Sequence, residues 1–175
     1  NIGQKLFNIG TLFFPWAVPF GIAFLFGALL ISLFKNARNF FKDKTNFLLI
    51  IASFLMVISV FKQSFDISKN NFLDFDAQIY LGLFNWIPLF FIFWGFQCYL
   101  KSSIQRQIFA RNLLIGSIPV LISCIGQYWF KWETQIIFAK GLLVWFQKPL
   151  EENSGISGLF SNPNYTGFWL TTIWP

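Results

Sequence analysis

The sequence predicts an all-α fold, a polytopic bundle of transmembrane helices that forms one domain over residues 1–175. The chain is 55% hydrophobic and 22% aromatic, and 11% of its residues are charged, whereas soluble domains carry about 25% charged residues. Its long apolar runs are separated by short loops that hold most of the charged residues. A helix crosses the hydrocarbon core of a membrane, about 30 Å thick, with roughly 20 apolar residues. Composition and pattern together therefore predict a protein that crosses the membrane several times.

Four complete spans and the start of a fifth are predicted along the chain. They cover about residues 12–34, 47–61, 79–100, 113–130 and 163–175 onward. Pro15 and Pro19 fall in the first turns of the first span, where a missing backbone N–H costs least. The second span is short and crosses only if flanking residues such as Lys62 extend to the interface. Pro88 is expected to kink the third span.

The segment before the fifth span has an apolar middle, residues 135–147, that is too short to cross a membrane. A helix that lies in the membrane interface suits such a segment, with Trp145 and Phe146 as anchors at the headgroup level. The sequence therefore predicts an interfacial helix in the last external loop.

The charges of the loops predict an orientation. Basic residues predominate in loops 35–46 and 101–112, whereas loops 62–78 and 131–162 are close to neutral. Because cytoplasmic loops carry the excess of Lys and Arg, the first two are expected in the cytoplasm and the other two outside. The residues before the first span would then lie outside, and Ser157 would be accessible from there. With no initiator Met and an apolar last stretch, we expect a fragment of a longer protein with at least one earlier span.

Several kinds of chemistry are disfavoured by the residue types. The chain has no His, so it cannot build a Ser-His-Asp triad or a His metal site. It has no glycine-rich phosphate loop, and its two cysteines lack a Cys-x-x-Cys spacing; no metal and no cofactor are therefore predicted. Nucleic acid is not expected as a partner, because a basic face would have to cross the membrane segments. The spans also lack central charged residues, which ion-coupled transporters usually need.

Two polar residues within the spans, Asn85 and Gln127, are the better candidates there for a functional role, because both lie near predicted outer ends. Most polar side chains in membrane helices only bond a helix carbonyl or a neighbouring helix. A structural role therefore remains the alternative for both residues.

The turn Asn162-Pro163-Asn164 is predicted to start the fifth span. Asn162 suits the N-cap position and Pro163 suits the first helical position. A helix N-terminus offers N–H groups and a partial positive charge, and it favours phosphate or diphosphate. The residues themselves are compatible both with a plain helix cap and with an anion site.

Residues 158–170, GLFSNPNYTGFWL, resemble the G-x-F-x-N-P-N-x-x-A/G segment of the bacterial O-antigen ligase and polymerase family, which leads from an outward-facing loop into a membrane helix. The matching residues are Gly158, Phe160, Asn162, Pro163, Asn164 and Gly167. Several Phe-rich spans before an external loop also resemble that family. The chain departs from the family where an Arg often precedes the glycine, since Glu151 and Glu152 stand in that stretch. The large external loop with the family's key His is not within these residues.

The resemblance implies a membrane glycosyltransferase-like enzyme of lipopolysaccharide biosynthesis. Such an enzyme moves a glycan from a polyprenyl diphosphate carrier to an acceptor at the outer face of the bacterial inner (plasma) membrane, without a metal. Its partners would be membrane lipids, the lipid-linked glycan and the acceptor. Transfer needs basic groups for the diphosphate and a base for the acceptor hydroxyl.

The site residues that this resemblance implies lie around the turn. Asn162, Asn164 and Gly158 would shape the mouth of a lipid-diphosphate site, with Lys148 and Lys140 as phosphate partners. The catalytic residues are expected beyond residue 175, so this piece alone would be inactive. Two alternatives remain open: a polytopic transporter or permease, for example for an anion such as bicarbonate, and a non-catalytic membrane subunit.

Overall fold

A computed structural model gives the fold over residues 1–36, 44–70, 78–133, 135–141, 143–147, 149–150, 155–160 and 162–174. These residues form mostly helices, which confirms the predicted all-α class, together with one antiparallel pair of short strands. The elements in order are α1 (Ile2–Phe13), α2 (Val18–Asn36), α3 (Lys44–Asn70), α4 (Gln78–Gln97), α5 (Ser103–Phe130), β1 (Gln135–Phe138), β2 (Leu143–Phe146) and α6 (Pro163–Ile173).

Four of the helices are long and apolar enough to cross a membrane. Their candidate spans are Val18–Lys35, Lys44–Ser64, Tyr80–Gln97 and Ser103–Phe130, with mean hydropathies between 1.2 and 2.0. Only 6% of the second and third of these spans is buried in the protein, so most of their apolar surface is free to contact lipid. Length, composition and exposure identify a multi-pass membrane protein, in agreement with the four complete spans predicted from the sequence.

The first predicted span, residues 12–34, is two helices rather than one. α1 ends at Phe13, and α2 begins at Val18 with Pro19 in its first turn. The prolines at positions 15 and 19 each lack an N–H, so two helical hydrogen bonds one turn apart cannot form. Helical continuity is lost over residues 14–17, and the membrane-crossing helix starts six residues later than predicted.

The loop predicted over residues 101–112 is helical from Ser103 onward. Ser102 and Gln105 form a capping box, in which the Ser102 hydroxyl accepts from the Gln105 N–H at 3.2 Å and the Gln105 side chain accepts from the Ser102 N–H at 3.0 Å. The Arg106 guanidinium donates to the carbonyls of Leu100 and Lys101. The capping box stabilises the first turn of α5. The basic residues that follow it therefore lie in a helix rather than in a loop.

The remaining boundaries also differ from the prediction. α3 runs to Asn70, well past the predicted end at residue 61, and α4 covers Gln78–Gln97 in place of residues 79–100. Helix therefore replaces the first part of the predicted loop 62–78. Residues 37–43 and 71–77, on which parts of the loop predictions fall, lie outside the described residues.

The interfacial helix predicted over residues 135–147 is wrong. The segment forms a hairpin in which Gln135 pairs with Phe146 and Phe138 pairs with Leu143. Lys140 at the turn has a φ of 57° and Gly141 a φ of 94°. A positive φ at successive residues closes a tight turn between two strands, and β-branched residues such as Ile and Val favour extended backbone.

The described residues divide into two compact units: Asn1–Ala28 with Tyr99–Pro175, and Leu29–Cys98. In the second unit, the Ser32 hydroxyl donates to the Gly95 carbonyl at 2.6 Å and thereby joins α2 to α4. The Ser64 and Tyr80 hydroxyls lie 2.9 Å apart and connect α3 to α4.

In the first unit, α1 runs parallel to α5. The Gln105 side chain donates to Gln4 at 3.0 Å, and the Asn112 side chain donates to the Asn8 carbonyl at 3.1 Å. Phe7, which is 1% exposed, stacks on the rings of Tyr99 and Phe109. The seam between the two helices therefore combines polar bonds with an aromatic core.

The start of α1 lies beside the N-terminal end of α5, where the basic residues of that helix are. Gln4 donates to the carbonyl of Tyr99 at 3.4 Å and accepts from Gln105. If loop 101–112 faces the cytoplasm, the first residues of α1 lie there too. The expectation that they lie outside is therefore wrong within the predicted orientation, because α1 was not foreseen as a separate helix.

Candidate functional site

The Asn162-Pro163-Asn164 turn starts a helix, as predicted. Asn162 is the N-cap of α6, and its side-chain oxygen accepts from the Asn164 N–H at 2.9 Å. Pro163 occupies the first helical position, where its fixed φ suits the helix and no hydrogen bond is lost. Local side-chain chemistry therefore determines where α6 begins.

Gln127 fastens the segment before this turn to α5. Its Oε1 accepts from the Ser157 N–H at 3.0 Å and from the Gly158 N–H at 2.9 Å, and its Nε2 donates to the Ser157 hydroxyl at 3.2 Å. Gln127 is 1% exposed and Ser157 is fully buried. Because a buried N–H without a partner costs about 1–3 kcal/mol, this amide clamp is a strong local constraint.

Gly158 fits the clamp because it has no side chain. Its φ is 53°, and a Cβ at this position would lie 2.7 Å from the Cys124 sulfur. A left-handed backbone is costly for residues with a Cβ. Both backbone and packing therefore require glycine here, which explains one residue of the motif by structure alone.

The first two turns of α6 pack against the same region. The Thr166 hydroxyl donates to the Ser157 carbonyl, and the Trp169 indole donates to the Ser117 hydroxyl at 2.9 Å. The Trp169 ring also contacts those of Phe14 and Phe160. The helix α6 is therefore bonded to α5 through Trp169 and to the Gln127-bound Ser157 through Thr166.

The hairpin attaches to the break between α1 and α2. The Trp145 indole donates to the Trp16 carbonyl at 2.7 Å, and the two rings stack with centroids 6.2 Å apart. The carbonyl lies in the break, where helical partners are lost. Next to β2, the Gln147 side chain donates to the hydroxyl of Ser123 on α5. The hairpin is therefore fixed at its second strand.

A cavity of about 290 Å³ lies where these parts meet. Its lining comes from the helix break, the hairpin and the segment before α6 and includes Pro15, Trp16, Pro19, Gly141, Trp145, Leu159 and Phe160. The motif residue Phe160 thus lines a hollow whose wall contains apolar and aromatic side chains together with polar backbone surface.

The predicted site residues are partly brought together. Gly158, Asn162 and Asn164 lie within one short segment, and Asn164 is exposed. Lys140 lies at the exposed hairpin turn, next to Gly141 of the cavity. Lys148 lies outside the described residues.

The N-terminus of α6 offers few donors to an anion. Pro163 has no N–H, and the N–H of Asn164 is bonded to Asn162. The N–H of Gly158 is likewise taken by Gln127. Direct binding of a diphosphate by these backbone groups is therefore disfavoured, and their role is better described as shaping the surface.

In the described part of the chain, no group of three or more His, Cys, Asp or Glu side chains is placed to hold a metal ion. Glu133 is exposed, and Glu151 and Glu152 lie outside the described residues. The exposed amide of Asn164 and the aromatic side chains of the cavity wall are groups of this site that a ligand can contact.

Sequence reasoning found the cap but not the groups that hold it. Gln127 was a candidate for function, and its bonds give it a structural role; Asn85 is exposed on α4. Ser117, Thr166 and Trp169 were not foreseen. Their partners lie up to 52 residues away, so no local pattern indicates them.

No protein-family model, curated protein or solved structure matches this chain. The class that fold and composition define is a multi-pass membrane protein with an aromatic site beside the start of α6.

Proposed function

We propose that this chain is part of a membrane glycosyltransferase-like ligase or polymerase of the O-antigen type, in the bacterial inner membrane. It would move a glycan from a polyprenyl diphosphate carrier to an acceptor at the outer face of that membrane. The observation that carries the proposal is that the motif residue Phe160 lines an aromatic cavity, while Gly158 is bonded to Gln127 and Asn162 caps α6 close by in the sequence.

The geometry supports a scaffolding role for this segment. The bonds of Gln127 hold the backbone before α6, and the cap by Asn162 holds the backbone of Asn164, whose side chain is exposed. Fixed polar groups orient a substrate at little entropic cost. Asn164 would contact the carrier or its first sugar, while Asn162 and Gly158 hold the turn.

The charge of the leaving diphosphate requires cations. Lys140 on the hairpin turn is a candidate, and Lys148 is another that follows β2 in the sequence. Glycan transfer also needs a base for the acceptor hydroxyl and further cations, which would come from outside this segment. The chain described here would thus supply the binding surface, and another part of the protein would supply the proton transfer.

The proposal is tested by glycan transfer in liposomes that contain the full-length protein, a polyprenyl diphosphate-linked glycan and the acceptor. Asn164→Ala should lower transfer at least tenfold without changing the melting temperature, because its backbone N–H still reaches Asn162. Thr171→Ala, at an exposed position further along α6, is the matched control and should transfer normally.

Two results would contradict the proposal. If folded wild-type protein transfers no glycan, the proposed enzymatic function is wrong. Normal transfer by Asn164→Ala would mean that the turn serves only to cap α6 and does not contact the substrate. One observation favours the first outcome and with it a non-catalytic membrane subunit: the Gly158 N–H and the Asn162 side chain are already used by bonds within the protein.

A further inference from the structure

A second and larger cavity, of about 450 Å³, lies beside the break between α1 and α2. Six aromatic side chains contribute to its wall: Phe13, Trp16, Phe20, Phe24, Phe138 and Trp145. We call it the aromatic groove. Ligand pockets in proteins are commonly about 300–1,000 Å³ and mostly apolar, so both size and lining suit an apolar ligand.

The polar groups in the wall of the groove bond to each other. The Trp145 indole N–H and the Trp16 carbonyl form a hydrogen bond of 2.7 Å. Burying a polar group without a partner is costly, and a ligand in this groove would not leave these two groups unpaired. The surface left for the ligand is therefore hydrocarbon and aromatic carbon.

The position of the groove determines which apolar ligand is available. Phe20 and Phe24 lie one turn apart on α2, within the candidate span Val18–Lys35. The groove therefore follows a membrane-crossing helix from its first turn for about 6 Å along the helix axis. At this depth lipid surrounds the helix. An acyl chain is therefore the most abundant apolar group that can enter the groove.

The hairpin forms part of the wall of the groove and carries a cation at its turn. Phe138 of β1 and Trp145 of β2 contribute to the wall, and Lys140 lies at the turn between them. A strand advances about 3.3 Å per residue, so the backbone of Lys140 is within about 7 Å of Phe138. A phospholipid with a chain in the groove would have its phosphate at the level of the hairpin.

We propose that the aromatic groove is a binding site for one acyl chain of a membrane phospholipid, which stays with the protein as a bound lipid. A concave wall contacts a chain from several sides, so dispersion contacts exceed those on a convex helix surface. Lys140 adds attraction to the phosphate. The groove shares Trp16 and Trp145 with the smaller cavity and Lys140 with the proposed diphosphate contact, but retention of a phospholipid does not require glycan transfer.

Native mass spectrometry of the full-length protein in detergent tests the proposal. Wild-type protein should retain one phospholipid, and filling the groove with the pair Phe20→Trp and Phe24→Trp should reduce that retention at least fivefold. The matched control pair is Ile22→Trp and Phe26→Trp, which lie exposed on the same helix and should retain the lipid.

Photocrosslinking keeps the proposal testable if the filled variant does not fold. Wild-type protein in vesicles that contain a phosphatidylcholine with a diazirine on its acyl chain should form adducts mainly at Phe20, Phe24 and Phe138. Equal labelling of Ile22 and Phe26 would overturn the proposal. So would retention of a polyisoprenoid lipid in place of a phospholipid, or equal retention by both variant pairs.

Discussion

Gln127 on α5 holds Gly158 in place from 31 residues away, with its side-chain oxygen 2.9 Å from the Gly158 nitrogen. The same oxygen accepts from the neighbouring Ser157 N–H. One buried amide therefore satisfies two neighbouring backbone N–H groups of the segment before α6. Stability of the membrane helix and the shape of the candidate site are coupled through this side chain.

Replacing Gln127 by Met should destabilise the protein by about 2 kcal/mol, because two buried N–H groups lose their acceptor. The measurement is the melting temperature of the full-length protein in detergent. Gln107→Met is the control, since Gln107 is exposed on the same helix and its replacement should change stability little. Equal effects of the two substitutions would show that the clamp contributes nothing specific.

The two motif glycines should respond to alanine in opposite directions. Gly158→Ala should destabilise by at least about 1–2 kcal/mol, because a Cβ is strained at a φ of 53° and would also press on Cys124. At Gly167 an added Cβ meets nothing within 4 Å, and alanine in a helix is favoured by roughly 0.5–1 kcal/mol. Thermal unfolding of both variants checks the signs; a loss of stability at Gly167 would contradict the open space described there.

The cap of α6 should tolerate serine but not alanine. Asn162→Ala removes the acceptor for the Asn164 N–H and should cost about 1 kcal/mol, whereas Asn162→Ser keeps a capping oxygen and should cost little. Hydrogen exchange of the first turn of α6 is the readout. Equal protection in both variants would mean that the cap is not what starts the helix.

Trp145→Phe should loosen the hairpin while leaving an aromatic ring in the wall of the groove. Loss of one hydrogen bond to the Trp16 carbonyl is worth about 1 kcal/mol, which corresponds to about fivefold faster exchange of the amides in residues 135–146. Trp129→Phe is the control, because Trp129 is 68% exposed. Unchanged exchange after Trp145→Phe would show that stacking, rather than the bond, holds the hairpin.

The elements that could be predicted from the sequence are those set by local chemistry. The Asn162 cap and Pro163 act within one turn, and long apolar runs are sufficient to predict membrane helices. The capping box of Ser102 and Gln105 is equally local, but the positive charges around it are also typical of a loop between membrane spans. Contacts such as Gln127 with Gly158 join distant parts of the chain and have no local signal.

The hairpin was mispredicted for a different reason. A short apolar segment with aromatic anchors fits an interfacial helix, and length alone does not separate a helix from two strands. The adjacent Ile136 and Ile137, with Gly141 between the strands, were the residues that favoured a hairpin. Tertiary bonding through Trp145 then fixes the strand pair against the helix break.

The central claim is that the clamped segment and the start of α6 face the outside, where a lipid-linked glycan would be transferred. Ser157 is unsuitable for testing it by labelling, because the residue is fully buried and not accessible as its loop position suggested. Asn164 and Lys101 are both exposed and serve instead.

The direct measurement is labelling of single cysteines at these positions in intact cells, in full-length protein whose native cysteines are replaced. Asn164→Cys should react with a membrane-impermeant thiol reagent before lysis, and Lys101→Cys should react only after lysis. The reverse pattern, with Asn164→Cys labelled only after lysis, would contradict the orientation and the function proposed from it.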